Sequence, residues 1–375
     1  MRIIFFVALL LLTQQVLSAS LAEVSAGRIT GGMALEFRNI RLEPRGAPIP
    51  LPNKELNVED RDVIAKANQL FDQNSSALEM ILVDRGQVLL ERYRSPADPK
   101  RPAFSMSMSK SLTAYTIGNM MCAGKSIDLN APSATYSPVL KNTVYGEASV
   151  KNLLTMSSGV KDAPHSGDPI QRDQCQVGVD CDGWQMQRSQ ILTGRDLIRQ
   201  FPNRERPSGT KFSYNALDTL ALSEIAEQQG GFVNNFSQFI WDKAGTEAPG
   251  YWLIDKENRA IAQAGFSAVI RDWARLAMLS IEQLNGANKC LSGFMKDATS
   301  PQIANKSRIV GASFSNYGYQ TWVADFGPRD SYWWVGYGGQ RVGVDPQKEK
   351  ILVVISQRED YMPEIYKFFS WWQRH

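Results

Sequence analysis

Histidine is the chemically active residue that this chain has least of. Its 375 residues include only His165, in a stretch rich in glycine, proline and aspartate, and His375, the last residue. A metal site built on several histidines would need more than these two, and a Ser–His–Asp triad would depend on His165 alone. We therefore expect no metal and no cofactor, and we expect any hydrolase chemistry to use a base other than histidine.

An excess of charge of one sign is also missing. The 41 lysines and arginines nearly balance the 38 aspartates and glutamates, which gives a net charge of +3 without a long block of either sign. Proteins that bind nucleic acids usually carry a clustered basic surface. We therefore expect no nucleic-acid partner.

Long hydrophobic runs are scarce as well. The N-terminal run Ile3–Leu12 is apolar but too short to span a bilayer. Arg2 precedes it and small residues from Ser18 to Ala22 follow it, which is typical of a secretory signal peptide. We expect residues 1–18 to be the signal, with cleavage between Ser18 and Ala22, and a periplasmic or secreted protein that keeps no membrane span.

Only four cysteines are present, Cys122, Cys175, Cys181 and Cys290, and none has the C-x-x-C spacing of zinc ligands. Export makes disulfides possible. Cys175 and Cys181 flank a short polar loop that contains glycine, and we expect them to be bonded to each other. Cys122 lies in an apolar helical stretch, where we expect it to be a small buried hydrophobic residue.

Strand-like patterns occupy both ends of the chain, and helical patterns occupy the middle. Residues 78–93 predict a hairpin around a D-R-G-Q turn, and the C-terminal quarter has three strand-like segments and a final amphipathic helix. This order favours an α+β fold, in which an antiparallel β-sheet is formed from both termini, is flanked by helices and carries an inserted, mostly helical region. We expect an extended arm at 19–58 and one domain at 59–375, with sheet parts 59–104 and 305–375 and a helical part 105–304.

The tetrad Ser107–Lys110, S-M-S-K, begins an apolar helical stretch and places a serine and a lysine on one face of a helix. A serine hydroxyl needs a base to take its proton, and burial lowers the pKa of a lysine enough for it to serve. We therefore predict Ser107 as the nucleophile and Lys110 as its base. The tetrads Ser158–Lys161 and Ser208–Lys211 lie in glycine-bearing loops, and an ordinary polar first turn is the alternative interpretation of the first tetrad.

Two later segments follow this tetrad: F-S-Y-N-A-L-D-T, which contains Tyr214, and G-Y-G-G-Q, which contains residues 337–339. In this order the three elements resemble the S-x-x-K, tyrosine-loop and K-T-G elements of the serine β-lactamase-like family, which includes class C β-lactamases, penicillin-binding proteins and esterases. The later two are most similar in form to those of the 6-aminohexanoate-oligomer hydrolases. The resemblance spans about residue 60 to the C-terminus and implies a β-lactamase/DD-peptidase-like fold.

The resemblance also implies a role for each matching residue. Ser107 would be acylated, Lys110 would be its base or proton relay, and the Tyr214 hydroxyl would lie near both and protonate the leaving group. The backbone N–H groups of Ser107 and Gln340 would form the oxyanion hole. A core aromatic residue is the alternative interpretation of Tyr214, and a turn or bulge is that of the two glycines. The matching residues expected to bind substrate are Asn215, Tyr337, Gly338 and Gly339.

Two positions depart from the family's pattern. Ala216 stands where the family's tyrosine loop has an asparagine, with Asn215 one place earlier, and Tyr337 replaces the cation that holds a β-lactam carboxylate. Both differences argue against a dedicated β-lactamase, although Arg341 is a cation nearby in the sequence. We expect a neutral linear substrate instead.

The stretch 161–190 is long for a connection, which favours either a lid over the site, with Trp184 as its apolar wall, or a surface loop held by a disulfide. Our first hypothesis is an exported serine hydrolase of a small-molecule amide or ester. The alternatives are a β-lactamase or D-Ala-D-Ala carboxypeptidase, and a catalytically idle penicillin-binding protein. The sequence leaves the natural substrate and the oligomeric state open.

Overall fold

A computed structural model describes residues 38–160, 193–199, 204–306, 311–328 and 330–375. Four residues discussed above, His165, Cys175, Cys181 and Trp184, lie outside the described residues, together with the predicted signal segment 1–18 and the stretch 161–190, so their roles stay predictions. Within the described parts, no helix is long and apolar enough to cross a membrane.

The described residues form two antiparallel sheets. The strands, in chain order, are β1 (Asn39–Leu42), β2 (Ala77–Asp84), β3 (Gln87–Tyr93), β4 (Ala103–Phe104), β5 (Gly250–Leu253), β6 (Phe266–Ala268), β7 (Ile303–Ala304), β8 (Asn316–Tyr317), β9 (Trp322–Ala324), β10 (Ser331–Gly336), β11 (Gln340–Asp345) and β12 (Lys350–Ser356). The larger sheet has the order β3-β2-β12-β11-β10-β9-β8-β7, so the first hairpin pairs with the last strand. The predicted sheet formed from both termini, and with it the α+β class, is confirmed.

The hairpin of β2 and β3 shows how local sequence sets this sheet. Arg85 and Gly86, at the centre of the D-R-G-Q turn, have φ angles of 50° and 75°, the left-handed conformation that two-residue hairpins favour. Along β2, Met80 and Ile81 pack into two different cores, because successive side chains of a strand point to opposite faces. The hairpin expected at this position is confirmed.

The smaller sheet has the order β1-β5-β6-β4 and begins in the arm that precedes the domain. After β1 the arm also bonds to the edge of the larger sheet, where Lys54 N donates to Val88 O at 2.9 Å and Val88 N donates to Pro52 O at 2.8 Å. The described part of the arm therefore pairs with both sheets. At the opposite edge of the smaller sheet, β4 leads directly into Ser105, just before the predicted nucleophile.

Helices cover both faces of the larger sheet. The α-helices of the described residues are α1 (Val58–Gln73), α2 (Ser109–Cys122), α3 (Val144–Glu147), α4 (Val150–Leu154), α5 (Gly194–Arg199), α6 (Ala216–Gln228), α7 (Phe232–Phe236), α8 (Ile270–Asn285), α9 (Lys289–Ala298) and α10 (Met362–Trp372). Helices α1 and α10 share one hydrophobic core, and α2, α6 and α8 share the other. The site lies where the inserted helices meet the sheet.

Helix α2 runs through the helical part and is buried along most of its length. Its residues 109–120 are all buried, and at Gly118 a Cβ would collide with the ring of Phe294 on α9. The two helices are close enough for Cys122 to form a disulfide with Cys290, with Cα atoms 5.6 Å apart. The expectation that Cys122 is only a small buried hydrophobic residue is therefore wrong, because its partner lies 168 positions away, beyond the reach of any local pattern.

Candidate active site

The segment around the predicted nucleophile meets solvent at one point. From Pro102 to Met120 every residue is buried except Ser107, which is half-buried. Ser107 lies in a 3₁₀ turn between β4 and α2, and the preceding residue, Met106, has a left-handed φ of 48°. Non-glycine residues hold this conformation only where the surroundings enforce it. The fold therefore presents the serine and buries its neighbours.

The lysine of the tetrad is inside the protein. Only 3% of Lys110 is exposed, and its Nζ lies 3.0 Å from Ser107 Oγ and 2.6 Å from the carbonyl oxygen of Gln263. Burial lowers the pKa of Lys110 to about 7. Near neutral pH a large fraction of this amine is therefore uncharged and able to accept a proton.

Three consecutive backbone carbonyls accept hydrogen bonds from the segment that carries the nucleophile. The oxygens of residues 262–264 accept, in chain order, from Thr113 Oγ1 at 3.0 Å, Lys110 Nζ at 2.6 Å and Ser105 Oγ at 3.3 Å. Sequence reasoning missed this contribution because a backbone oxygen leaves no residue-type signature. The segment just before β6 thus orients both ends of the turn that carries Ser107.

Tyr214 completes a group of three side chains. Its hydroxyl is hydrogen-bonded to Ser107, and its ring centroid lies 5.3 Å from Lys110 Nζ. Trp322 on β9 stacks on the tyrosine ring at 5.5 Å with planes 23° apart. Burial raises the pKa of Tyr214 above its ordinary value, against a smaller lowering by the bond with Ser107, so the phenol keeps its proton. The structure brings Ser107, Lys110 and Tyr214 together, the arrangement that the resemblance implies, and their catalytic roles stay predictions.

The segment matched to K-T-G is a turn rather than the start of a strand. Residues 337–339 join β10 to β11, with φ angles of 74° at Gly338 and 93° at Gly339, which glycine adopts without strain. Gly336, directly before the turn, packs against the segment that carries the nucleophile: a Cβ on Gly336 would collide with the carbonyl oxygen of Ser105. The turn therefore lies beside the nucleophile. Tyr337, the first residue of the turn, is 44% exposed. The two glycines lie in a turn, and the expectation that they bind substrate stays a prediction.

Two residues after the turn fix its shape. The Gln340 side chain accepts from Ser356 N at 3.0 Å and donates to the carbonyl of Tyr337 at 2.9 Å. Arg341 donates to Tyr366 Oη at 2.7 Å, to the carbonyls of residues 336 and 340, and to Glu359 at 3.4 Å. Arg341, noted as a cation nearby in the sequence, therefore does not replace the family's cation, because its guanidinium is buried and bound to the protein.

Asn215, expected to bind substrate, has a structural role instead. It is the N-cap of α6, where its Oδ1 accepts from Leu217 N at 2.9 Å, and its Nδ2 donates to Tyr145 Oη at 3.2 Å. Its side chain is buried and both of its polar ends have partners. A polar residue directly before a helix is favoured as a cap, and at this position that preference decides the role.

One buried acid near the site escaped sequence reasoning. Asp218 lies in the first turn of α6, four residues after Tyr214, is fully buried, and lies next to Ser158. Burial raises the pKa of Asp218 to about 8, against a smaller lowering by the neighbouring Ser158. Ser158, the first residue of the second tetrad, is therefore turned towards a carboxyl group and is itself buried.

The fold and the arrangement of this site are those of a serine hydrolase. The model of the Beta-lactamase family matches residues 61–368, and the chain belongs to that family. This confirms the resemblance seen in the three sequence elements.

The similarity to known proteins covers most of the chain. The 6-aminohexanoate-dimer hydrolase of Paenarthrobacter ureafaciens is 25% identical over 291 residues, which are 75% of this chain and 73% of that protein. Among solved structures, a Bacillus anthracis protein assigned as a 6-aminohexanoate-dimer hydrolase has a TM-score of 0.72 at 22% identity, over 93% of this chain and 92% of that one. EstCE1, a hydrolase with promiscuous acyltransferase activity, has a TM-score of 0.65 at 12% identity, over 81% and 96%. These two structural likenesses show the shared fold.

Proposed function

We propose that this protein is an exported serine hydrolase that cleaves a linear amide or ester through an acyl-enzyme on Ser107. The observation that carries the proposal is the contact of 3.0 Å between Ser107 Oγ and the buried amine of Lys110, whose pKa burial lowers to about 7. An exposed lysine is almost wholly protonated at neutral pH, so only a buried one can serve as the base.

In the first step, neutral Lys110 takes the proton of Ser107 as the serine oxygen attacks the substrate carbonyl carbon. The backbone N–H groups of Ser107 and Gln340 are the proposed donors to the oxyanion. This assignment is supported by the strand pairing, since Gln340 lies opposite Gly336 in the β10–β11 hairpin, and Gly336 packs against the carbonyl of Ser105.

In the second step, the leaving group departs with a proton from Tyr214, and Lys110 returns its proton to the tyrosine. The raised pKa of Tyr214 supports a role as a donor that begins neutral. Water then attacks the acyl-enzyme with its proton passing back along the same two side chains, and Ser107 is released. Amides need the delivered proton more than esters because an amine anion is the poorer leaving group.

We further propose that the substrate is a small neutral amide or ester rather than a carboxylate-bearing β-lactam. An exposed tyrosine, Tyr337, stands in place of the family's cation, and the guanidinium of Arg341 already binds Tyr366 and backbone carbonyls. Export is supported by the N-terminal sequence and by the Cys122–Cys290 disulfide, since disulfides persist in oxidising compartments.

A comparison of four compounds tests this function. Purified protein is given a chromogenic ester with its matched amide, a chromogenic cephalosporin, and a labelled penicillin, with and without prior treatment by a serine-directed fluorophosphonate. We expect turnover of the ester and amide, abolished by the fluorophosphonate, with the label mapped to Ser107. Efficient cephalosporin hydrolysis would favour the β-lactamase alternative, and stable penicillin labelling without any turnover would favour the idle binding protein.

A further inference from the structure

Gln320, in the turn between β8 and β9, stands out for its backbone. It is buried and has a left-handed φ of 51°, a conformation that is unfavourable for any residue other than glycine. Such a conformation persists only where surrounding contacts hold it. The contacts of Gln320 show what the strained residue does.

Every polar group of Gln320 has a partner. Its N–H donates to Leu154 O at 2.8 Å, and its own carbonyl accepts from Ser111 Oγ at 2.6 Å. In the side chain, Nε2 donates to Leu153 O at 2.8 Å and Oε1 accepts from Thr219 Oγ1 at 2.7 Å. One buried residue therefore bonds to α2, α4 and α6 at once.

Each of these helices carries or adjoins a part of the site. Ser111 directly follows Lys110 on α2, and Thr219 lies on α6, which begins just after Tyr214. Helix α4 is followed closely by Met156, whose carbonyl oxygen accepts a hydrogen bond from Ser213 N at 2.8 Å. Ser213 directly precedes Tyr214 in the chain. Trp322, which follows the same turn as Gln320, stacks on the Tyr214 ring. The turn therefore contacts the tyrosine side and the lysine side of the site.

We infer that Gln320 is a positioning residue, which bridges α2 to α6 and thereby fixes the Tyr214 hydroxyl relative to Ser107 and Lys110. The inference rests on the proposed function, because it concerns the spacing of those three side chains. The reaction is sensitive to that spacing: the serine proton must pass to the amine and onward to the tyrosine over hydrogen-bond distances. A displacement of about 1 Å at a catalytic group can lower a rate by about 100-fold.

Two substitutions break the bridge without touching the three catalytic candidates. Gln320→Gly removes the side chain but keeps both main-chain bonds and suits the left-handed φ. Thr219→Val replaces the donor to Oε1 by a group of the same shape, and Thr219→Ser keeps the hydroxyl. The matched control is Thr116→Val on α2, whose buried hydroxyl, among the residues that the structure describes, bonds only to Leu112 O of its own helix, at 2.8 Å.

The measurements are kcat and KM for an ester and the rate of labelling by a fluorophosphonate. We expect Gln320→Gly and Thr219→Val to lower kcat and the labelling rate by about tenfold or more with KM changed less than about twofold. Thr219→Ser and Thr116→Val should remain close to wild type. A positioning defect lowers kcat, and the Thr219→Ser variant, which keeps the hydroxyl, restores it. A general loss of folded protein instead lowers the fraction of molecules that can be labelled and leaves the labelling rate of the folded molecules unchanged.

The outcomes separate the two proposals. If the wild-type protein is not labelled at Ser107, the proposed function fails. If the wild type is labelled and Thr219→Val has wild-type kcat and labelling rate, the function stands and the positioning role of Gln320 is overturned. That role is equally overturned if Thr219→Ser is as slow as Thr219→Val, or if only KM changes. If Gln320→Gly does not fold, the Thr219 pair decides.

Discussion

The tetrads Ser107–Lys110 and Ser208–Lys211 have the same residue types at the same spacing and lie in opposite surroundings. In the first, the serine meets solvent and the lysine is buried beneath it. In the second, the lysine is exposed and the serine accepts a hydrogen bond from Asn152 Nδ2 at 3.0 Å. Spacing alone therefore does not make a nucleophile and its base.

The difference lies in what surrounds the lysine. Lys110 begins a helix that is buried along residues 109–120, and the carbonyl of Gln263 holds its amine. Burial disfavours the charged form of a lysine, and this lowers the pKa of Lys110 to about 7. The second tetrad lies in a glycine-bearing loop at the surface, where water stabilises the ammonium ion.

The largest effect is expected when the serines of the two tetrads are replaced by alanine one at a time and the two variants are compared. Ser107→Ala should lower ester and amide hydrolysis by about 10⁴-fold or more and abolish fluorophosphonate labelling, because it removes the hydroxyl that is hydrogen-bonded to Lys110 Nζ. Ser208→Ala should keep most activity. Rates and circular dichroism of both variants check this. A folded but inactive Ser208→Ala, or an active Ser107→Ala, would move the nucleophile to another residue.

The next effect concerns the two lysines. Lys110→Arg keeps a positive charge but cannot lose a proton near neutral pH, so kcat/KM should fall by about 100-fold or more for the ester and at least as much for the amide. Lys211→Arg, at the surface, should behave as wild type. The measurement is kcat/KM for the matched substrates on both variants. A near-wild-type Lys110→Arg would mean that the lysine acts only as a counter-charge.

A third expectation is the pH dependence of the wild type. Lys110 accepts a proton only when neutral, so kcat/KM should decrease as pH falls through about 7, by about tenfold for each further unit. A rate that stays constant from pH 8 down to pH 5 would exclude a lysine base with a lowered pKa.

The smallest effect is on stability. Because the folded protein lowers the pKa of Lys110, the unfolded chain binds the proton more tightly, and the lysine opposes folding below its ordinary pKa. Lys110→Met should therefore raise the melting temperature by several degrees at pH 7, and the gain should shrink as pH rises towards 10. Lys211→Met should leave it unchanged. Thermal unfolding at the two pH values tests this, and a lower melting temperature for Lys110→Met at pH 7 would contradict it.

The sequence was enough to predict those features of the fold and the site that depend on residues close together in the chain. The D-R-G-Q turn requires left-handed residues, and Arg85 and Gly86 supply them. The spacing of Ser107 and Lys110 puts them on one helical turn, and their contact follows. The order of strand-like and helical segments gave the α+β class, because strands at both ends of a chain pair most simply in one sheet.

Contacts made across the fold were beyond the sequence. The carbonyl of Gln263 that holds Lys110 is a backbone group from a distant segment. Asn215 was assigned to substrate, but its position before α6 makes it a cap. Arg341 is a cation close to the turn in the sequence, and only the fold shows that its guanidinium already donates to Tyr366 and to backbone carbonyls. Such partners depend on which segments meet, which residue types do not encode.

The bond between Cys122 and Cys290 has a topological consequence. It closes a covalent ring spanning 168 positions, with Tyr214 and Gln263 inside the ring and Ser107 and Lys110 on the tail that leads into it. A single proteolytic cut within the ring opens the loop but does not divide the molecule. The fragment with the serine and lysine stays tethered to the rest of the chain until a reductant breaks the disulfide.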